Sequence, residues 1–113
     1  AENVVGHINL YQHFDDEVAL QKAFRCWEYI KKHLIDYQNG EWYWSVRADG
    51  TVNTADDKAG FWKCPYHNSR MCLELIERDY YHTDSLKGRN RIQRGHSFPF
   101  LLPVLYRQLL LFP

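Results

Sequence analysis

The sequence predicts a mainly α-helical chain interrupted by one small β-hairpin. Two apolar stripes of period 3.6 run through residues 3–36. No glycine or proline falls between His7 and Asn39 to interrupt them. A third stripe follows a polar loop that ends in capping residues.

The first helix is expected over residues 3–14. Val4, Ile8 and Tyr11 recur at helical spacing, with Val5 beside them on the same face. Asp15 and Asp16 follow, and either suits the N-cap of a second helix. That helix is expected over residues 17–36, where Ala19, Ala23, Trp27, Ile30 and Leu34 form its stripe. Lys31, Lys32 and His33 fall in its last turns, where cations complement the helix dipole. Asn39-Gly40 stops the pattern. The pair reads as a helical hairpin with a very short connection.

Residues 41–52 read as a β-hairpin. Trp42, Trp44 and Val46 alternate with Tyr43 and Ser45, Asp49-Gly50 signals a turn, and Thr51-Val52 supplies the return. An isolated hairpin is marginal in water, so this one is expected to pack on the helices. After a polar loop, Asn68 or Ser69 is expected to cap a third helix over residues 69–80, through Leu73 and Ile76. From His82 onward the character changes. The chain is basic up to Arg94 and then rich in Leu, Phe and Pro, with weak helical character over Val104 to Leu111.

Composition excludes several functions. A chain of 113 residues is one domain at most, with a real but modest core. Its formal net charge is zero, which gives no electrostatic case for nucleic acid or an anionic membrane. The apolar stretch Phe98 to Phe112 is too short, and too broken by Pro99, Pro103 and Arg107, to span a bilayer. Three cysteines (Cys26, Cys64, Cys72) without a CxxC argue against a disulfide framework and for a cytoplasmic setting. Aromatic residues make up 16%, and Trp42, Trp44 and Trp62 cluster in sequence. That clustering suits a sugar-stacking wall about as well as a plain aromatic core.

The densest chemistry lies in "GFWKCPYHNSR", Gly60 to Arg70. Cys64-Pro-Tyr-His67 has a C-x-x-H spacing, but a zinc site needs a second pair, and Cys72 falls on a core-facing stripe. Cys64 beside Lys63 and His67 has some features of a reactive thiolate, without an identifiable orienting group. His67 can take and give a proton near neutral pH. From spacing alone, a structural or surface histidine outweighs a catalytic one. Lys58 is expected to pair with Asp56 or Asp57, and Arg70 with Glu74 one turn on.

A resemblance changes that balance. "GEWYWSV" followed by "DKAGFWKCPYHNSRMCLE" resembles the C-terminal part of the cellobiose 2-epimerases, in the N-acylglucosamine 2-epimerase superfamily. "AENVVGHINLYQ" is similar to the family's Gln-Ala-Glu helix. The resemblance covers roughly Ala1 to Arg78. It implies part of an (α/α)6 barrel and an isomerase that needs neither metal nor nicotinamide. Such enzymes open a reducing-end sugar, remove the proton on C2 and return it to the other face through an enediolate. It also implies that His67 is one of two acid/base histidines, that Trp62 stacks on the sugar, and that Glu2 supports substrate or the partner base. The other histidine and most of the barrel have no counterpart in this chain.

The chain is therefore expected to be a C-terminal fragment, with epimerase residues over 1–81 and an unassigned tail over 82–113. Alone it should be inactive and should self-associate through exposed helix faces. The alternative is a non-catalytic module that binds sugar or protein through Trp42, Trp44 and Trp62.

Overall fold

A computed structural model describes the backbone of residues 1–87 and the side chains of residues 1–78. The expected tail helix at Val104 to Leu111 lies outside the described residues. Three helices dominate: α1 (Glu2–Phe14), α2 (Glu17–Tyr29) and α3 (Tyr66–Lys87). Between α2 and α3 the chain makes a π-turn over Ile30–Leu34 and then a loop segment with isolated β-bridges.

The α1–α2 hairpin follows from its two aspartates. Asp15 takes a left-handed conformation (φ 53°) and returns its N–H to the Tyr11 carbonyl at 2.9 Å, closing α1. Asp16 is extended, and its carboxylate accepts from the Ala19 N–H at 2.9 Å, opening α2. Two residues thus end one helix and start the next. The predicted stripes face inward: Val4, Val5, Ile8 and Tyr11 of α1, and Ala19, Ala23 and Trp27 of α2, are buried. From Ile30 to Leu34 the second helix widens into a π-turn, and the Ile35 N–H reaches back to the Ile30 carbonyl at 3.1 Å. The expected helix to residue 36 is therefore two pieces, both helical.

The expected hairpin forms across Asp49-Gly50 but is shorter than 41–52: Val46 pairs antiparallel with Val52, and the Arg47 and Asn53 N–H groups reach the Thr51 and Ser45 carbonyls at 2.8 and 2.9 Å. Trp42 instead makes an antiparallel bridge with Ile35. Trp42 pairs backward across the 36–41 turn, while Val46 pairs forward across Asp49-Gly50. The alternation of Trp42, Trp44 and Val46 is real, but two separate turns use it. The first turn needs two left-handed residues in succession, Gly40 (φ 75°) and Glu41 (φ 62°). Glycine accepts that conformation freely, whereas glutamate pays about 1–2 kcal/mol.

α3 begins earlier than expected. The Ser69 N–H bonds the Pro65 carbonyl at 2.8 Å, so Tyr66, His67 and Asn68 are already helical. Neither Asn68 nor Ser69 is the cap, because both already lie inside the helix. Met71, Cys72 and Leu75 of α3 join Val4, Ile8, Trp27, Ile35 and Trp42 in one buried cluster. α3 runs on to Lys87, beyond its expected end near residue 80.

Asp36 holds the start of the loop segment. It is buried and accepts from the Gln38 and Asn39 N–H groups, both at 3.0 Å. Its second oxygen takes the Lys58 ammonium at 2.7 Å, and Lys58 also donates to the Gly40 carbonyl at 3.0 Å. Lys58 thus bridges 22 residues to Asp36 rather than pairing with Asp56 or Asp57 as expected. The Lys58 hydrogen bond, with help from Asn39, holds the Asp36 carboxyl far below its ordinary range. A depressed carboxyl stabilises the fold fully above its unfolded value and less as pH falls below it. Urea midpoints should therefore drop from about pH 5 downward. In Asp36→Asn the neutral-pH midpoint should be lower and the acid drop smaller. An unchanged acid drop in that variant would contradict the assignment.

Candidate active site

An open cleft of about 390 Å³ lies where α1, the 41–44 segment and α3 meet, lined by Glu2, Trp42, Tyr43, Trp44, Lys63 and His67 among others. Its catalytic candidates come from the first turns of two helices far apart in sequence. Glu2 opens α1 and His67 stands in the first turn of α3. The His67 Nδ1 lies 2.8 Å from Glu2 Oε1, across 65 residues of sequence. The hydrogen bond from His67 lowers the Glu2 carboxyl below its usual range, and the Arg70 guanidinium adds to this. An ionised carboxylate only accepts, so the ring proton sits on Nδ1 and the Nε2 lone pair is left for chemistry.

Arg70 completes this edge. Its Nη1 is 3.5 Å from Glu2 Oε1, and its Nε is 2.7 Å from Glu74 Oε1, the pairing expected one turn on. Arg78 then ties α3 back to α1 through Asn9 at 2.6 Å and Gln12 at 2.7 Å. The stagger between α1 and α3 that brings Glu2 to His67 is thus held at a second point about three turns further along α3.

Behind His67 lies a carboxylate that the sequence did not single out. Glu41 Oε1 accepts from Asn68 Nδ2 at 2.6 Å, from its neighbour's Trp42 N–H at 2.9 Å, and from Lys63 Nζ at 3.3 Å. Lys63 also donates to the Trp42 and Lys58 carbonyls. Partners separated by 22 and 27 residues leave no local signal. The one available hint was a charged residue directly after a stop glycine.

The aromatic candidates divide. Trp42 is 4% exposed and belongs to the core. It lines the cleft but offers little surface to a binding module. Trp44 is half exposed and lines the cleft. Trp62 is 85% exposed, packs edge-on against Phe61 with ring centroids 4.7 Å apart, and is not among the cleft-lining residues. The structure thus brings Glu2 and His67 together and sets Trp62 apart on the loop before α3.

Cys72 is buried, and burial pushes its thiol up to about 11, as suits a packing residue. Cys64 is exposed. Among the described residues, no three His, Cys, Asp or Glu side chains are grouped as a metal site, and no helix is long and apolar enough to cross a membrane.

The sequence model of the N-acylglucosamine 2-epimerase (GlcNAc 2-epimerase) family matches residues 1–70, taking in both Glu2 and His67. This chain belongs to that family. Among its relatives, the epimerase-family chain is 63% identical over 76 residues to the cellobiose 2-epimerase of Bacteroides fragilis, covering 67% of this chain and 19% of that protein. It is 52% identical over 79 residues to the cellobiose 2-epimerase of Ruminococcus albus, covering 69% of this chain and 20% of that protein. The solved cellobiose 2-epimerase of Bacillus thermoamylovorans B4167 superposes with a TM-score of 0.64 at 51% identity, over 68% of this chain and 20% of that one. These structures are (α/α)6 barrels, so the helices described above are part of such a barrel. The chain spans about a fifth of the length of these relatives.

Proposed function

We propose that this chain supplies one wall of a sugar 2-epimerase site, in which His67 moves the C2 proton of a reducing-end sugar and Glu2 orients it. The supporting observation is the 2.8 Å contact between His67 Nδ1 and Glu2 Oε1 at the edge of the cleft. A carboxylate on Nδ1 fixes the tautomer, aims the ring, and stabilises the imidazolium formed when Nε2 takes a proton.

In the proposed reaction the opened sugar presents its C1 aldehyde and the adjacent C2–H. A base removes the C2 proton, and the electron pair of that bond becomes the enediolate. Protonation on the opposite face of C2 then gives the epimer, with no net gain or loss of atoms. Two groups are needed, one for each face, and His67 is one of them. Trp62 is assigned the role of stacking on a pyranose face. Its exposed indole is available to a substrate held by the rest of a barrel. Cellobiose, converted to glucosyl-mannose, is the proposed substrate, since relatives at 63% and 52% identity carry that name.

The decisive experiment grafts residues 1–78 into the Bacteroides fragilis cellobiose 2-epimerase in place of its matching segment. The graft should convert cellobiose to glucosyl-mannose, and the 113-residue chain alone should not. A folded but inactive graft would refute the reading. Binding without conversion, followed by tryptophan fluorescence, would favour a sugar-binding module that uses Trp44 and Trp62.

A second expectation concerns association. Leu10, Phe14, Val18, Phe61, Trp62 and Leu73 are exposed large apolar residues on this segment. In a complete barrel, neighbouring helices are available to cover such faces. In the 113-residue chain they should drive self-association. Sedimentation at micromolar concentration should show a dimer or larger species, and a clean monomer would contradict this.

A further inference from the structure

We infer that Glu41 is a positioning residue for His67: its carboxylate, held by Asn68 and Lys63, sets the first turn of α3 and thereby the reach of the imidazole to Glu2. This inference rests on the acid/base reading of His67 given above.

Glu41 occupies a backbone conformation that suits glycine. Its φ is 62°, directly after Gly40 at 75°. A second glycine there would relieve the strain, so the turn itself does not call for a glutamate. The side chain has a different use. It is mostly buried, 15% exposed, and one oxygen gathers three donors from three segments. Trp42 N–H belongs to the 36–42 turn, Lys63 to the loop that carries Trp62, and Asn68 to the first turn of α3.

The bond to Asn68 is the informative one. Asn68 is buried and adjoins His67, whose ring reaches the other way, to Glu2 on α1. At about 100° per residue, neighbours on a helix point to different sides. Holding Asn68 against Glu41 therefore fixes the rotation of the turn that presents His67 to Glu2. Lys63 acts on the same carboxylate and also ties two backbone carbonyls, so the loop before α3 is set by the same group. Positions 2, 41 and 67 thus form a relay: Glu41 holds the turn, the turn aims His67, and Glu2 receives Nδ1–H.

The test uses the grafted barrel with Glu41→Gly, Glu41→Gln and Asn68→Ala, and His67→Asn as the reference. Glu41→Gly relieves the left-handed strain but leaves Lys63 and Asn68 without their shared acceptor, so the thermal midpoint should fall only modestly. It should nevertheless lower kcat about 10–100-fold, the scale of an ångström-level misplacement of a catalytic group. KM should stay within about twofold, since sugar binding is not the interaction removed. Glu41→Gln keeps an acceptor for Asn68 and should recover most of the rate. Asn68→Ala breaks the link without touching the strained residue and should reproduce the fall in kcat. It decides the matter if Glu41→Gly does not fold. Nitrogen-15 spectra of the His67 ring should show the Nδ1–H form in the unsubstituted graft and a mixture of tautomers in Glu41→Gly.

An unchanged kcat in both Glu41→Gly and Asn68→Ala, with His67→Asn inactive, would overturn the positioning role and leave the catalytic reading standing. An unchanged kcat in His67→Asn would overturn that reading instead. A loss of rate that merely follows a loss of folded protein in both variants would reduce Glu41 to a structural residue.

Discussion

His67→Asn in the grafted barrel should cut turnover by about 10²–10⁴-fold while leaving sugar affinity nearly intact. Asparagine keeps a polar group of similar reach, and its amide N–H can still meet Glu2. What it lacks is a lone pair that accepts and returns a proton near neutral pH. The loss should therefore fall on kcat, because proton transfer occurs only in the transition state. Trp62→Ala should do the reverse. It removes an indole that is 85% exposed and contributes little to the fold, so stability should hold and KM should rise. If both variants changed KM alone, the site would bind sugar without performing chemistry on it. If the ungrafted 113-residue chain showed epimerisation abolished by His67→Asn, a second base would have to come from these residues, with His7 the first suspect, or from a neighbouring copy.

Trp27→Ala should cost about 3–5 kcal/mol, the usual scale for removing a large buried ring from a core. Trp27 is 2% exposed and belongs to the cluster that joins α1, α2 and α3. Domains of this size are stable by only about 5–15 kcal/mol, so the variant should lose much of its stability. Trp27→Phe should cost less. It keeps most of the apolar volume and removes an indole N–H that has no hydrogen-bond partner. Urea unfolding followed by circular dichroism would measure both. Equal midpoints for the two variants would show that the ring does not hold the helices together.

Much of the fold was legible because its signals are local. The α1 and α2 stripes, the Asp15-Asp16 junction and the Asn39-Gly40 stop all act within a turn or two of where they are read. Burial of Val4, Ile8, Ala23 and Trp27 follows directly from period 3.6. The helices were placed within a few residues at most boundaries. The boundary errors fall on α3, which runs on to Lys87 rather than ending near residue 80 and starts at Tyr66 rather than 69, because Asn68 is spent on Glu41 rather than on a cap. The overlong hairpin, whose Trp42 end pairs with Ile35 instead, has a related cause. Alternation shows that residues are extended, but it does not name the strand that each one pairs with.

The sequence by itself determined the helical hairpin and, through its motif, the candidacy of His67 and Glu2 as site residues, whereas their contact with each other came from the tertiary structure. The tertiary structure alone decided which carboxylates do the holding. Asp36 takes Lys58 and Glu41 takes Lys63 and Asn68, across separations of 22 to 27 residues. It also separated three tryptophans that look alike in sequence, burying Trp42, leaving Trp44 half exposed beside it in the cleft and setting Trp62 in the open. The physical reason is one of range. Helix periodicity and capping are set by neighbours along the chain. A buried charge finds its partner only once packing has removed water and brought distant segments within hydrogen-bond reach.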